Sequence, residues 1–354
     1  MKKGFLILLF FVLAISGWHG YERWQKEQQT AEHLTGSLSD IAEEVVAIPL
    51  QQPAGAAPIT TARDIRKDGN DLFLISRNTL YHFDRQGKFI SQVTRPEEIQ
   101  VAGYVIDALR RQVIVLGNEN DIHYYTYEGK LLKKKKLKSE VGEKRKVMSA
   151  LLYNGKIFTT EQETRQDEKQ GKTILSNHVA EYDLEFTQTG ERQLVAAETG
   201  RERLAPPSYG LRLGIHPDSG RLYAYAPSAR PDLLLRDSLY LVNHTEETME
   251  NNAETVLAYP LRMGSRYWIA SCPDPFSPGE NYTFCFDSIR NEAWNLKDGF
   301  EDDFYATGKI ARLAPMDAEN KTYTFCQSGE AVRKAFPGQA ESANVVVFIV
   351  KLKA

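Results

Sequence analysis

One repeat constrains this chain more than any other feature. Leu80 to Ile90 reads LYHFDRQGKFI, and Ile122 to Leu132 reads IHYYTYEGKLL; the two align without a gap. Phe83 falls on Tyr125 at a spacing of about 42 residues, inside the range of about 40–45 that a four-stranded blade occupies. Each copy is an apolar-alternating strand, a tight turn (Gln86-Gly87, Glu128-Gly129) and a second strand, which is a hairpin signature. Glycine supplies positive φ in such a turn at little steric cost. A short strand precedes each hairpin, Asp71 to Ile75 and Gln112 to Leu116. Before each of these stand a turn (Lys67-Asp68-Gly69-Asn70; Leu109-Arg110-Arg111) and an earlier strand, so each unit has about four strands.

Looser copies follow. Lys156 to Thr159 leads to Val179 to Asp183, with a charged insertion at Gln162 to Lys172. Arg221 to Tyr225 leads to Ser238 to Val242, Arg266 to Ala270 to Tyr282 to Asp287, and Lys321 to Phe325 to Val345 to Leu352. The units number about six. One small sheet cannot cover both of its faces, whereas a ring of sheets buries the faces between neighbours and leaves only short edges. The expected fold is therefore all-β, a six-bladed β-propeller over residues 45–354. The natural ring closure pairs Val45 to Leu50 with the nearly continuous apolar run Val345 to Leu352.

The N-terminus reads as a targeting segment. Lys2 and Lys3 form a basic start, Phe5 to Ile15 an apolar stretch, and Ala14, Ser16 and Gly17 offer small residues for cleavage. The same stretch, extended from Gly4 to Tyr21, also reads as an uncleaved anchor helix, with Trp18, Tyr21 and Trp24 as an interfacial belt. Residues 1–18 are thus a signal peptide or membrane anchor, and polar residues 19–44 a short tether. Either way the expectation is an exported chain, periplasmic or anchored with its bulk facing the periplasm.

Several stretches resemble the secreted six-bladed propeller proteins abundant in Bacteroidetes, which are related in shape to TolB and NHL propellers. They are Val46 to Leu50, FDRQGKFISQV (Phe83 to Val93), YTYEGKLL (Tyr125 to Leu132), Asn295 to Asp303, and VVVFIVKLK (Val345 to Lys353). These motifs are turns and strands, so the resemblance implies a fold over roughly residues 45–353 and no reaction. Family members often carry a lipoprotein cysteine after the signal; this chain has none before Cys272.

The formal net charge of -3 favours neither nucleic acid nor an acidic partner. The three cysteines, Cys272, Cys285 and Cys326, are too few and odd in number for a disulfide framework. They read as buried small side chains or as one bridge plus a free thiol. Glu301, Asp302 and Asp303 form the densest acidic cluster and are the candidate ligands of a divalent cation; the competing reading is a solvated turn. His82 and His123, in the aligned hairpins, read as strand-face histidines before they read as catalytic ones. His216-Pro217-Asp218 reads as a blade turn. Lys133 to Lys136 reads as a protected sheet edge, with an acidic lipid or glycan as the alternative. Tyr124, Tyr125, Tyr127, Tyr223, Tyr225, Tyr267, Trp268, Tyr282 and Phe284 read as inter-blade core, with sugar stacking as the alternative. Phosphate loops, dinucleotide fingerprints, GxSxG elbows and HExxH pairs are absent from the sequence. Three functions remain: a binding module that meets an envelope protein or glycan, a channel-sited metal-dependent hydrolase or lyase of lactonase type, and an assembly role. The second requires carboxylates or a histidine to converge on the axis.

Overall fold

In the computed structural model the described residues are 36–54, 58–137, 144–167, 172–199, 212–215, 220–226, 238–241, 266–273, 281–287, 289–290, 292–317, 321–337 and 345–354. The order begins with a one-turn helix α1 (Leu38–Ile41) and strand β1 (Ala42–Pro49). A first antiparallel sheet follows: β2 (Arg63–Asp68), β3 (Asp71–Ser76), β4 (Thr79–Asp84) and β5 (Phe89–Gln92). The second is β6 (Val101–Asp107), β7 (Gln112–Gly117), β8 (Asp121–Thr126) and β9 (Leu131–Lys136). The third is β10 (Lys144–Tyr153), β11 (Lys156–Asp167), β12 (Lys172–Tyr182) and β13 (Gln188–Thr199). The fourth has β14 (Arg212–Ile215), β15 (Leu222–Ala226) and β16 (Ser238–Leu241); the fifth has β17 (Tyr267–Pro273), β18 (Asn281–Asp287) and β19 (Glu292–Lys297). A two-stranded ribbon, β20 (Phe300–Asp302) and β21 (Gly308–Ile310), leads to β22 (Ala314–Pro315), β23 (Thr322–Ser328), the short helix α2 (Glu330–Ala335) and β24 (Val345–Leu352). These last strands form a closing sheet in the order β1-β24-β23-β22.

The expected ring closure is present: Val45 to Pro49 of β1 pair antiparallel with Val350 to Val346 of β24. The apolar clusters give the stacking order. Leu72 and Leu74 of β3 pack with Ile48, Val345 and Val347 of the closing sheet, while Phe73 and Ile75, on the other face, pack with Tyr104, Val113 and Val115 of the second. Ile114 and Leu116 meet Ile157, Ala180 and Tyr182 of the third sheet, and Phe158 and Val179 meet Leu222 and Ala224 of the fourth. Tyr267, Ile269 and Leu296 of the fifth meet Val346, Phe348 and Val350 of the closing sheet. The joint between the fourth and fifth sheets falls outside the described residues. Both faces of a strand are thus buried, which is why β3, β7 and β24 read as unbroken apolar runs rather than alternating ones. Each such Val, Leu, Ile or Phe contributes about 1.5–3 kcal/mol on burial. The first strands of successive sheets also converge. The Arg66 guanidinium on β2 lies over the Tyr104 ring of β6 at 4.9 Å and reaches past it to the Ala150 carbonyl of β10 at 3.4 Å. Sheets stacked face to face, joined last to first, with their first strands drawn together, form a β-propeller.

The repeated turn has a common chemistry. Asp84 Oδ1 accepts from the N–H of Gln86 and Lys88, both at 2.9 Å, and Asp183 Oδ1 accepts from Glu185 (2.9 Å) and Thr187 (2.7 Å). Thr126 Oγ1 does the same more weakly for Lys130 at 3.3 Å. Three residues on, Gly87 (φ 82°) and Gly129 (φ 87°) take the left-handed conformation. In the third sheet that position is Phe186, at φ 55°, and its ring is buried against the second sheet.

Two expectations are revised. The charged stretch Gln162 to Lys172 is no insertion beyond the strands, since β11 and β12 continue paired from Ile157↔Tyr182 out to Asp167↔Lys172. The folded part also begins before Val45. Leu38 and Ile41, assigned above to the tether, are buried in the core, and Asp303 accepts from the Ser39 N–H at 3.0 Å and from its hydroxyl. The targeting segment 1–18 and the rest of the tether up to residue 35 lie outside the described residues. Among the described residues no helix is long and apolar enough to cross a membrane.

Candidate functional site: a cleft at the ring closure

The segment from Leu50 to Ala62 leads from the closing sheet into the first. Between them opens a cavity of about 290 Å³. One wall is Thr60 to Ile65, the entry into β2. The other is Lys309 to Arg312 with Ala314, together with Thr324 to Ser328 of β23 and Val345. Ile65, Ile310, Phe325 and Val345 are buried and supply an apolar floor. Phe325 is itself fixed by stacking on Phe348, at 4.4 Å between ring centres.

The rim is polar and predominantly cationic. β2 bulges between Arg63 and Arg66, with Asp64 at φ 45°. Arg63 donates to the Val101 carbonyl at 3.0 Å and to Asn78 Oδ1 at 3.3 Å. Asp64 Oδ1 accepts from Arg66 Nε at 2.9 Å, so its charge is already paired. Lys309 and Arg312 are exposed, and their side-chain nitrogens meet no acceptor among the described residues. The Cys326 thiol in the wall is pushed by burial up to about 12, against a hydrogen bond from the backbone at Ala62 that lowers it. It therefore stays protonated at neutral pH and is no nucleophile.

The residues singled out in the sequence fall elsewhere. Glu301, Asp302 and Asp303 do not converge on a common point. Asp302 is buried and caps the following turn, accepting from the N–H of Phe304 and Tyr305 (both 3.2 Å) and from Thr307. Asp303 holds Ser39 to the ribbon, and Glu301 is exposed beside the Gly36 carbonyl that its N–H reaches at 2.8 Å. The carboxylates of Asp302 and Asp303 serve as backbone caps, so this cluster is a turn. Among the described residues no group of three or more His, Cys, Asp or Glu is placed to hold a metal ion.

His82 is buried in the joint between the first and second sheets. Its Nε2 lies 2.7 Å from Asp71 Oδ1, its Nδ1 3.0 Å from the Tyr127 carbonyl, and its ring stacks on Phe73 at 4.4 Å. Both nitrogens are engaged, leaving none for a substrate. His123 is buried against the Tyr125 hydroxyl at 3.0 Å. Burial, chiefly, and Lys134 hold its pKa below the ordinary histidine value.

Tyr124, Tyr125, Tyr127 and Tyr267 are buried in the core rather than presented for stacking. Their hydroxyls tie sheets together: Tyr127 donates to Asp68 at 2.6 Å and Tyr124 to the Leu184 carbonyl at 3.1 Å. Cys285 is buried and reduced, and Cys326 is half-buried. The side chains of Cys272, Tyr225, Trp268, Tyr282 and Phe284, and His216 to Asp218, lie outside the described residues. Lys133 to Lys136 form the exposed outer strand β9, where Lys133 pairs with Glu185 and Lys135 donates to the Phe186 carbonyl at 2.8 Å.

Sequence reasoning missed two groupings. Buried His178 stands between Glu163 Oε2 (3.2 Å) and Glu191 Oε1 (2.9 Å), beside Glu161, which accepts from Thr159 (2.7 Å) and Tyr182 (2.8 Å). The alternation Glu161, Glu163 on one face of β11 was legible, but Glu163 read as part of the insertion from Gln162 to Lys172. The cations of the cleft are separated by some two hundred and fifty residues and carry no local signal. Only the closure of β1 on β24 brings them to one cleft.

No family model matches the chain, and no curated protein matches it. Among solved structures it is similar to the Neurospora crassa Pan2 WD40 domain, at 9% identity and TM-score 0.40, over 86% of this chain and 78% of that one. It is also similar to the Myceliophthora thermophila Cps50 (Swd1) beta-propeller domain, at 9% identity and TM-score 0.44, over 88% of this chain and 99% of that one. The propeller assignment rests on the sheet stacking and ring closure described above.

Proposed function

We propose that this protein is an exported six-bladed propeller of the TolB/NHL-like kind that acts as a binding module in the cell envelope, with an envelope protein or glycan as its partner. Six sheets of three or four strands among the described residues support the blade count. The basic, apolar and small-residue order of positions 2–17 supports export, either as a periplasmic chain or as one held by its N-terminal segment. The observation that carries the binding role is the cleft at the ring closure, where an apolar floor is rimmed by cations and hydroxyls and the one thiol is held protonated. Such a wall can recognise a ligand by shape, charge and hydrogen bonds together. Envelope extract passed over the immobilised full chain, together with a glycan array, tests the role. A retained protein or glycan that is lost when Phe325 is replaced by Ala, in a variant whose thermal unfolding still shows a folded chain, supports it. Retention of nothing in either format defeats it.

A further inference from the structure

We propose that the cleft at the ring closure takes a small ligand bearing a carboxylate or phosphate on a body of about monosaccharide size, with the anionic group held by Lys309 and Arg312. This deepens the binding role above and rests on it. Three cations, Arg63, Lys309 and Arg312, line the cavity against one carboxylate, Asp64, which Arg66 already neutralises. On a convex surface, two exposed cations would be solvated and uninformative. Here they flank a concave floor of buried Ile65, Ile310, Phe325 and Val345, where water is fewer and charge is screened less. Arg63 is committed to the Val101 carbonyl, which leaves Lys309 and Arg312 as the cations with unused donors among the described residues. The Arg312 guanidinium offers a planar fork matched to two oxygens of one anion, and Lys309 adds a point charge.

The size limits the ligand. A cavity of about 290 Å³ sits at the lower end of small-molecule sites, which run about 300–1,000 Å³. Thr60, Thr61, Gln327 and Ser328 around the rim offer hydroxyl and amide groups to a polyhydroxylated body, and Phe325 offers an apolar surface beneath it.

The test uses the purified full chain, titrated calorimetrically with D-glucuronate, glucose 6-phosphate and D-glucose at low and high salt. One or both anions should bind at least about tenfold more tightly than D-glucose, and added salt should weaken that binding. The tighter anion identifies the carboxylate or the phosphate as the recognised group. Arg312→Gln and Lys309→Gln should each weaken the anion severalfold, and the double variant should abolish binding. Both positions are exposed, so thermal midpoints should not move. Lys133→Gln, on the far edge of the second sheet, should change nothing. Equal affinity for D-glucose, no binding of either anion, or full binding by the double variant overturns the proposal. A partner retained from envelope extract while neither anion binds would remove this inference alone and leave the binding-module reading standing.

Discussion

Replacing Gly87 by Ala should test the ring closure directly. Gly87 sits in the β4–β5 turn at φ 82°, and its carbonyl accepts from the Gln51 N–H at 2.8 Å, just beyond β1. A Cβ there would stand 2.2 Å from the Pro49 carbonyl oxygen and 3.0 Å from Ile48 Cγ2, both in the closing sheet. The turn must therefore retreat by most of an ångström, and the retreat pulls the first sheet off the closing one. Gly69 is the natural control. It has φ 56°, and nothing lies within 4 Å of its virtual Cβ, so Gly69→Ala carries the left-handed strain without the collision. That strain costs about 1 kcal/mol, and the collision adds about 1–3 kcal/mol of overpacking. Urea unfolding followed by tryptophan fluorescence should place Gly69→Ala about 1 kcal/mol below the parent and Gly87→Ala about 2–4 kcal/mol below it. Indistinguishable midpoints for the two variants would refute the close approach of Gly87 to Pro49, and with it the account of how the ring is sealed.

Other outcomes follow from the same structure. His82→Ala removes a buried ring stacked on Phe73 and its contacts to Asp71 and Tyr127, and should cost about 2–4 kcal/mol in the same assay. Lys133→Gln, in an exposed ion pair with Glu185, should stay within about 0.5 kcal/mol. Burial works against ionisation of Asp287, but Arg266 and the N–H groups of Arg290 and Ile289 outweigh it and hold its carboxyl below the usual range; Asp303 is lowered likewise against its own burial, by Ser39. A carboxyl lowered in the folded state stabilises above its unfolded value of about 3.9 and loses that contribution as pH falls through the folded one. Stability should accordingly fall below about pH 4, and less steeply in Asp287→Asn; an unchanged acid slope in that variant would count against the Arg266 pair. In a Cys272→Ser background, Ellman's reagent at neutral pH should leave native Cys285 and Cys326 unlabelled, because burial raises both thiols, and should label both after unfolding.

The strands were legible where their signals are local. The repeat at Leu80 and Ile122 announced itself through glycine, and both glycines adopt the positive φ that the reading required. The third copy read more loosely because Phe186 occupies the same left-handed position, its strain offset by the burial of its ring against Tyr182. Helix α1 was missed because four residues carry no periodicity; Leu38 and Ile41 earn their places through contact with sheets remote in sequence. The acidic run Glu301 to Asp303 left two readings open, since carboxylates that cap turns and carboxylates that hold metals look alike in a sequence. The cleft lay beyond local reading because its walls come from residues near 60, 310 and 326, which only tertiary pairing assembles.

Because β1 pairs with β24, the ring cannot be sealed until Val345 to Leu352 have been made. Five sheets can stack in the order they emerge, yet Val345 to Leu352 must find a partner left waiting about 300 residues upstream, a loop whose entropic cost rises only slowly with length. A chain stopped before Val345 would keep an unpaired edge on β1 and bare the apolar faces of Leu72, Leu74 and Tyr267. Val345 to Leu352 thus decide whether the ring is shut or left gaping.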